Sequence, residues 1–288
     1  MTDWQALPDT HSSLGESPVW SAADNCLWWV DITGKTINRL DHEGGVSRLR
    51  TPELIGAVVP RADGGLVAAM QSALFAVDAT GSFEPIGAPE DHPPTHRFND
   101  ATTDPAGRLL IGTMCLDPNG APSGVLYAFD GRDWRALRSG FRTVNGLAVS
   151  PDGQSLWMSD SHGDIRTVWV HAYDLATGTL GPVRHSFRLD DALGRPDGAA
   201  FDTAGGYWIG GNDGWAVHRY CADGALDRSL ALPVQKPSKP AFGGADLDTL
   251  YMTSIALHLT DPVAQPHAGA VFACVPGVTG LPLAPFAG

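Results

Sequence analysis

The run SPDGQSLWMSD, residues 150–160, sets a tight turn before a short apolar strand. Its Asp-Gly pair supplies the positive φ or the local Asx bonding that such a turn requires. The core that follows, LWMSD from Leu156, has the length of a strand rather than a helix. The same arrangement recurs along the chain: LWWVD from Leu27 after AADN, LVAAM from Leu66 after RADGG, and LLIGT from Leu109 after DPAGR. It returns twice more, as YWIGG from Tyr207 after DTAGG and LYMTS from Leu250 after GADLD. Successive cores start 39, 43, 47, 51 and 43 residues apart. Self-similar β repeats of about 40 to 50 residues mark a propeller with one four-stranded blade per repeat. Two packed sheets of a sandwich do not generate six equivalent turns, so an all-β, six-bladed β-propeller is expected, filling residues 1–288 as a single domain.

Composition agrees. The 288 residues are 43% hydrophobic and 18% charged, enough apolar material for a sizeable core, and 34 glycines and 22 prolines are scattered rather than gathered in a linker. A net charge of −13 disfavours nucleic acid or an anionic membrane as partner and suits a soluble protein with a cation site. The opening MTDWQALPDTHSS has no basic segment leading into an apolar run, and no apolar stretch is long enough to span a bilayer. A cytoplasmic monomer is the expectation. Cys26, Cys115, Cys221 and Cys274 are far apart, with no CxxC, so reduced thiols packing as small apolar side chains are expected.

Ten or eleven residues before each core lies a quasi-equivalent position, held in turn by Glu16, Ile55, Asn99, Asn145, Asp197 and Lys239. The first strand of every propeller blade lines the central channel, so these positions converge on one axis. Four of the six carry carboxylate or amide oxygens. Such a set, without imidazole or thiolate, suits a hard divalent cation: Ca²⁺ first, with Mg²⁺ or Mn²⁺ next and Zn²⁺ or Fe²⁺ if water fills open positions. Other patterns carry less. Asp160-Ser161-His162 has the residue types of a triad, but strand neighbours point to opposite faces and no G-x-S-x-G elbow accompanies them. FGGADLD lacks the ending of a phosphate loop and reads as a turn, and no EF-hand loop is present. His96 is expected on a solvated loop, and Trp20, Trp28, Trp29, Trp157 and Trp208 at the packing between blades.

At these residues the chain resembles the SMP-30/gluconolactonase family, also called regucalcin-like lactonases. The resemblance is carried by LGESPVW, HRFNDATTDPAGRLLIGTM, TVNGLAVSPDGQSLWMSDS, RPDGAAFDTAGGYWIGG and PSKPAFGGADLDTLYMTS, which span residues 14–254 in order. It implies a six-bladed propeller with one divalent cation in its channel that hydrolyses sugar lactones to aldonic acids. It implies Glu16, Asn145 and Asp197 as metal ligands, Arg97 and Asn99 as substrate contacts, and Asp117 where some relatives carry a glutamate that touches sugar hydroxyls. Ser17 departs from the usual glycine. A lactone is an activated ester, so a cation that polarises its carbonyl and lowers the pKa of water, with Asp197 accepting the proton, is sufficient chemistry. Two alternatives remain: the same propeller acting on phosphotriesters or aryl esters, and a non-catalytic metal-binding or protein-interaction propeller.

Overall fold

The computed structural model describes residues 3–288. They form six four-stranded antiparallel sheets arranged as the blades of a propeller, and the only helical element among them is a single 3-10 turn, Asp191–Leu193. The inner strands of blades 1 to 6 are Gly15–Ser21, Ile55–Pro60, His96–Thr103, Val144–Val149, Arg195–Phe201 and Pro237–Gly243. Each apolar repeat core forms the second strand of its blade and pairs antiparallel with the inner strand, as Val149 with Leu156 in blade 4. The turns between them fold as their residues predict: Gly107, Gly153 and Gly205 all take positive φ.

Five blades are continuous in sequence. The sixth is completed from the other end of the chain, where Gln5–Ala6 pairs with Phe272–Cys274 as its outermost strand. That join closes the ring, and two residues are too few to leave a sequence signal. Six apolar clusters fill the joints between adjacent blades. Trp157 of blade 4 meets Phe201 and Tyr207 of blade 5, and Trp208 of blade 5 meets Phe242 and Met252 of blade 6. Trp29 packs on Val271, and Trp20 stacks on Tyr251 at 6.0 Å, across the joint of blades 1 and 6. Trp28, half-buried, packs against the cluster between blades 1 and 2 and carries the Arg39 guanidinium over its ring at 5.8 Å. The four cysteines are free.

Every inner strand breaks register with its neighbour near the middle. Pairing skips between Glu16 and Val19, Ile55 and Ala57, Phe98 and Ala101, Asn145 and Ala148, Pro196 and Ala199, and Pro237 and Pro240. Such irregularities twist a strand and re-aim its side chains. Here they turn polar groups into the channel at one common level.

Candidate active site

Above those breaks lies a cavity of about 460 Å³, open at one end of the channel. Glu16, Asn99, Asn145 and Asp197 all line it and all are buried. Counted from the last paired residue before each break, Glu16, Ile55 and Asn145 occupy it, Asn99 and Asp197 lie one residue on, and Lys239 two. A constant repeat offset therefore finds the right level of the channel but slips by a residue or two within it. Blade 2 adds no oxygen donor there, for Ile55 is apolar and Gly56 lies where a Cβ would meet the Phe98 carbonyl at 2.2 Å.

The four polar groups are held by specific bonds. Asn145 Nδ2 donates to Asp197 Oδ1 at 2.6 Å and to Ser161 Oγ at 2.8 Å, and Ser161 Oγ donates to the Pro196 carbonyl at 2.6 Å. Asn212 Nδ2 donates to Asp197 Oδ2 at 2.7 Å, while Arg195 Nη2 holds the Asn212 amide oxygen at 2.8 Å. Asn99 Nδ2 donates to the Val144 carbonyl at 2.9 Å, and Glu16 Oε2 accepts the Ser17 amide at 2.7 Å. Both amide side chains thus spend their nitrogen on the protein. Asn145 Oδ1 is buried with no hydrogen-bond partner.

Burial, and next the Asp197 charge, push the Glu16 carboxyl well above its usual range. Burial raises Asp197 to about 6, against the opposing Asn212 bond and Arg195 charge. Two buried carboxyls that burial raises despite nearby cations, in one cavity with an unpartnered amide oxygen, form a set that a hard cation would satisfy, since it offers the missing partner and favours both carboxylates. No three His, Cys, Asp or Glu side chains gather as a metal-binding group among the described residues; the donor set here is two carboxylates and two amides. The residues present fit a divalent cation.

Arg97 lines the same cavity, is buried, and donates from Nη1 to its neighbour's carbonyl, Phe98 O, at 2.9 Å. Burial lowers its pKa to about 10, partly offset by the Glu16 and Asp197 charges, so it stays protonated at neutral pH. Asp117 lies apart from the buried cluster, on the exposed loop Leu116–Gly120 at the cavity rim, where its Oδ1 accepts the Asn119 amide at 2.9 Å. His96, expected on a loop, is instead the first residue of an inner strand; it is buried, with Nε2 2.8 Å from Ser123 Oγ. Asp160, Ser161 and His162 form no triad: the Asp160 carboxylate caps the amides of Arg142, Thr143 and His162, and Ser161 holds Asn145.

Beneath the cluster lies a pair that repeat counting did not assign. Lys239 crosses the channel from blade 6 and donates to Asp100 Oδ1 at 2.6 Å and to the Ala101 carbonyl at 2.8 Å. Asp100 Oδ2 accepts the Leu147 amide at 2.8 Å. The sequence alone did not single out Asp100, although it directly follows Asn99 in the polar run RFND. Asn212 and Ser161 have no such local signal, because their roles depend on contacts between blades.

These features define a six-bladed propeller with an oxygen-donor cluster buried at one mouth of its channel. Residues 14–256 match the SMP-30/Gluconolactonase/LRE-like region, and the chain belongs to that family. It is 38% identical over 290 residues to a 6-deoxy-6-sulfogluconolactonase of Pseudomonas putida, covering 96% of each chain. It is 32% identical to a pentonolactonase of Haloferax volcanii, over 95% of this chain and 94% of the other. A crystal structure described as a calcium-binding protein, regucalcin, from Agrobacterium tumefaciens superposes with a TM-score of 0.90 at 26% identity, covering 99% of this chain and 97% of that one.

Proposed function

We propose that the protein hydrolyses the lactone of a sugar acid to the open acid in this cavity, with one divalent cation held by Glu16, Asn145 and Asp197. The observation that carries this reading is the unpartnered Asn145 Oδ1, buried in the same cavity as the Glu16 and Asp197 carboxyls, both of which burial raises. The relatives named as lactonases support the substrate class. An all-oxygen donor set favours Ca²⁺. Bound there, the cation supplies Lewis acidity toward a carbonyl oxygen and lowers the pKa of water.

The chain's own groups do the rest. In the reaction water's oxygen bonds to the carbonyl carbon and the ring carbon–oxygen bond breaks. The ring oxygen leaves as a hydroxyl, and the new acid releases a proton. Asp197 is placed to accept the proton from water, with each of its oxygens already fixed by one amide N–H so that its free lone pairs keep a constant direction. Arg97, charged and pinned by Phe98, presents donors to sugar oxygens. The Asn99 amide oxygen faces the same space, since its nitrogen is spent on Val144. Asp117 at the rim is placed to meet outer hydroxyls.

The test is lactone hydrolysis by protein stripped with a chelator and restored with single metals, beside an Asp197→Asn variant. Stripping is expected to abolish turnover, Ca²⁺ or another divalent ion to restore it, and the variant to lose about a hundredfold or more in kcat. Full rate in the stripped protein or the variant, on pentono- and hexonolactones alike, would refute the reading.

A further inference from the structure

The floor of the cavity is acidic, but its wall is not. Blades 3, 4, 5 and 6 each place a cation two or three residues before the channel-level position: Arg97 before Asn99, Arg142 before Asn145, Arg195 before Asp197, and Lys236 before Lys239. All four line the cavity, whereas blade 1 offers Leu14, Ile32 and Thr33. In a chain with 32 acidic and 19 basic residues, a cationic wall on one side of a pocket is a departure from the rest of the molecule.

The four are not equally committed. Arg195 Nε bonds Asp213 Oδ2 at 3.0 Å, and Lys236 bonds Asp213 Oδ1, so one carboxylate serves both, and Arg195 also positions Asn212. Arg97 lies deep, in the field of Glu16 and Asp197. Arg142 forms no ion pair among the described residues. Its Nη1 donates only to the Gly120 carbonyl, at 2.8 Å, which leaves most of the guanidinium fork unspent. The acid on the rim, Asp117, is solvated and engaged with the Asn119 amide, and Asp160, which accepts the Arg142 amide at 2.7 Å, spends its oxygens on backbone amides. Arg142 sits at the bend that leads into the inner strand, three residues before Asn145, and lines the cavity together with Asp117 and Gly120 of the rim loop. A ligand with its carbonyl at the floor has its far end there.

We propose that the substrate is a lactone bearing an oxyanion (phosphate, sulfonate or carboxylate) on the carbon farthest from the reacting carbonyl, and that Arg142 selects it. This rests on the lactonase reading above and names its substrate class. A guanidinium fork matches the paired oxygens of any of these groups, and the low-dielectric wall strengthens the contact. Arg97, Arg195 and Lys236 add a field of the same sign, which favours capture of an anionic lactone over a neutral one.

The experiment compares glucono-1,5-lactone with its 6-phosphate, 6-sulfonate and 6-carboxylate derivatives, using wild type, Arg142→Gln and Arg142→Lys, each loaded with the single metal that supports turnover. Wild type is expected to favour at least one anionic lactone by about tenfold or more in kcat/KM, mostly through KM, with the advantage shrinking as salt is added. Arg142→Gln brings the anionic-to-neutral ratio toward one, and Arg142→Lys keeps part of it; which derivative leads identifies the oxyanion. Equal wild-type rates on neutral and anionic lactones overturn the inference while leaving the lactonase reading intact. So does an Arg142→Gln loss shared equally by both, which would mark Arg142 as an anchor for the Gly120 loop only. If no lactone of either kind turns over, the parent reading fails. Calorimetric titration with gluconate and its 6-phosphate then decides the inference separately: tighter binding of the phosphate that is lost in Arg142→Gln upholds the anion site, and equal binding removes it.

Discussion

Asp197 is the residue on which sequence, fold and chemistry converge, and its ionisation leaves a thermodynamic trace. Its carboxyl is raised to about 6, chiefly by burial, whereas in the unfolded chain it titrates near 4. The folded state therefore holds this proton more tightly than the unfolded state. The cost of ionising it is absent below about pH 4, grows between about 4 and 6, and is fully present above that, at on the order of 3 kcal/mol. In the presence of a chelator, wild type is expected to lose this increment as pH rises from 4.5 to 7.5. Asp197→Asn cannot ionise and is expected to lack that part of the slope, together with the part of the Glu16 shift that the Asp197 charge causes. Saturating Ca²⁺ at pH 7.5 should restore most of the lost stability to wild type and little to the variant. Urea unfolding across the pH range reads this directly, and parallel curves for the two proteins would mean that Asp197 is not held in a charge-averse site.

At the scale of the element, the break in each inner strand matters more than the strand itself. Ser17 sits in the break of blade 1 with φ of +48°, a left-handed conformation that glycine takes freely and serine does at a cost. That explains why glycine is usual there in the family, and the structure shows what serine adds. Its hydroxyl accepts the Val58 amide at 3.0 Å, stitching blade 1 to the inner strand of blade 2. Ser17→Ala keeps the strained φ and leaves a buried Val58 N–H unpaired, so a loss of about 1 to 3 kcal/mol is expected. Ser17→Gly loses the same bond but relieves the backbone, so it should fall between alanine and wild type. Chemical denaturation gives the order, and an alanine variant as stable as wild type would show that the stitch carries no weight. The same breaks explain what the sequence made legible. Apolar cores and Asp-Gly turns are local signals, so the blades and their inner strands were readable from the repeat. So were the buried positions of Glu16, Asn99, Asn145 and Asp197, because side-chain oxygens that recur at one inner-strand position must meet at the channel axis. Lys239 occupied a counted position without an evident purpose. Its partner Asp100 sits on another blade, 139 residues away in sequence, and no periodicity reports such a distance.

For the whole molecule the channel is a stack of three compartments: the polar cavity at one mouth, the Lys239–Asp100 pair across the middle, and a second cavity of about 540 Å³ behind it. That rear space is walled mainly by apolar residues such as Val19, Val58, Ala148 and Phe242, and Leu281–Pro285 also line it. The C-terminal segment crosses this end as a strap. Thr203 N donates to the Thr279 carbonyl at 2.9 Å, Phe286 N to the Pro60 carbonyl at 2.8 Å, and Ala287 N to the Gly107 carbonyl at 3.0 Å, so blades 5, 2 and 3 are bound together. Phe286 is buried among the aromatic rings of blade 3, 5.7 Å from Phe129. The Lys239–Asp100 pair is itself buried, and its bonds to Ala101 and Leu147 fix the backbone next to Asn99 and Asn145. Breaking one partner should therefore cost far more than replacing both. Lys239→Met leaves Asp100 charged and alone, and a loss of about 3 to 5 kcal/mol is expected. Lys239→Met with Asp100→Asn removes both charges and should recover a large share of that, giving a coupling of at least about 1 kcal/mol in a double-mutant cycle. If the pair acts only as ballast, the double variant will bind Ca²⁺ as wild type does. If it sets the level of the donor cluster, Ca²⁺ affinity measured by calorimetry will fall even where stability has returned. The second outcome is expected, because Asn99 is contiguous with Asp100 and Asn145 is two residues from Leu147. An additive cycle with unchanged affinity would reduce the pair to a filler of the channel.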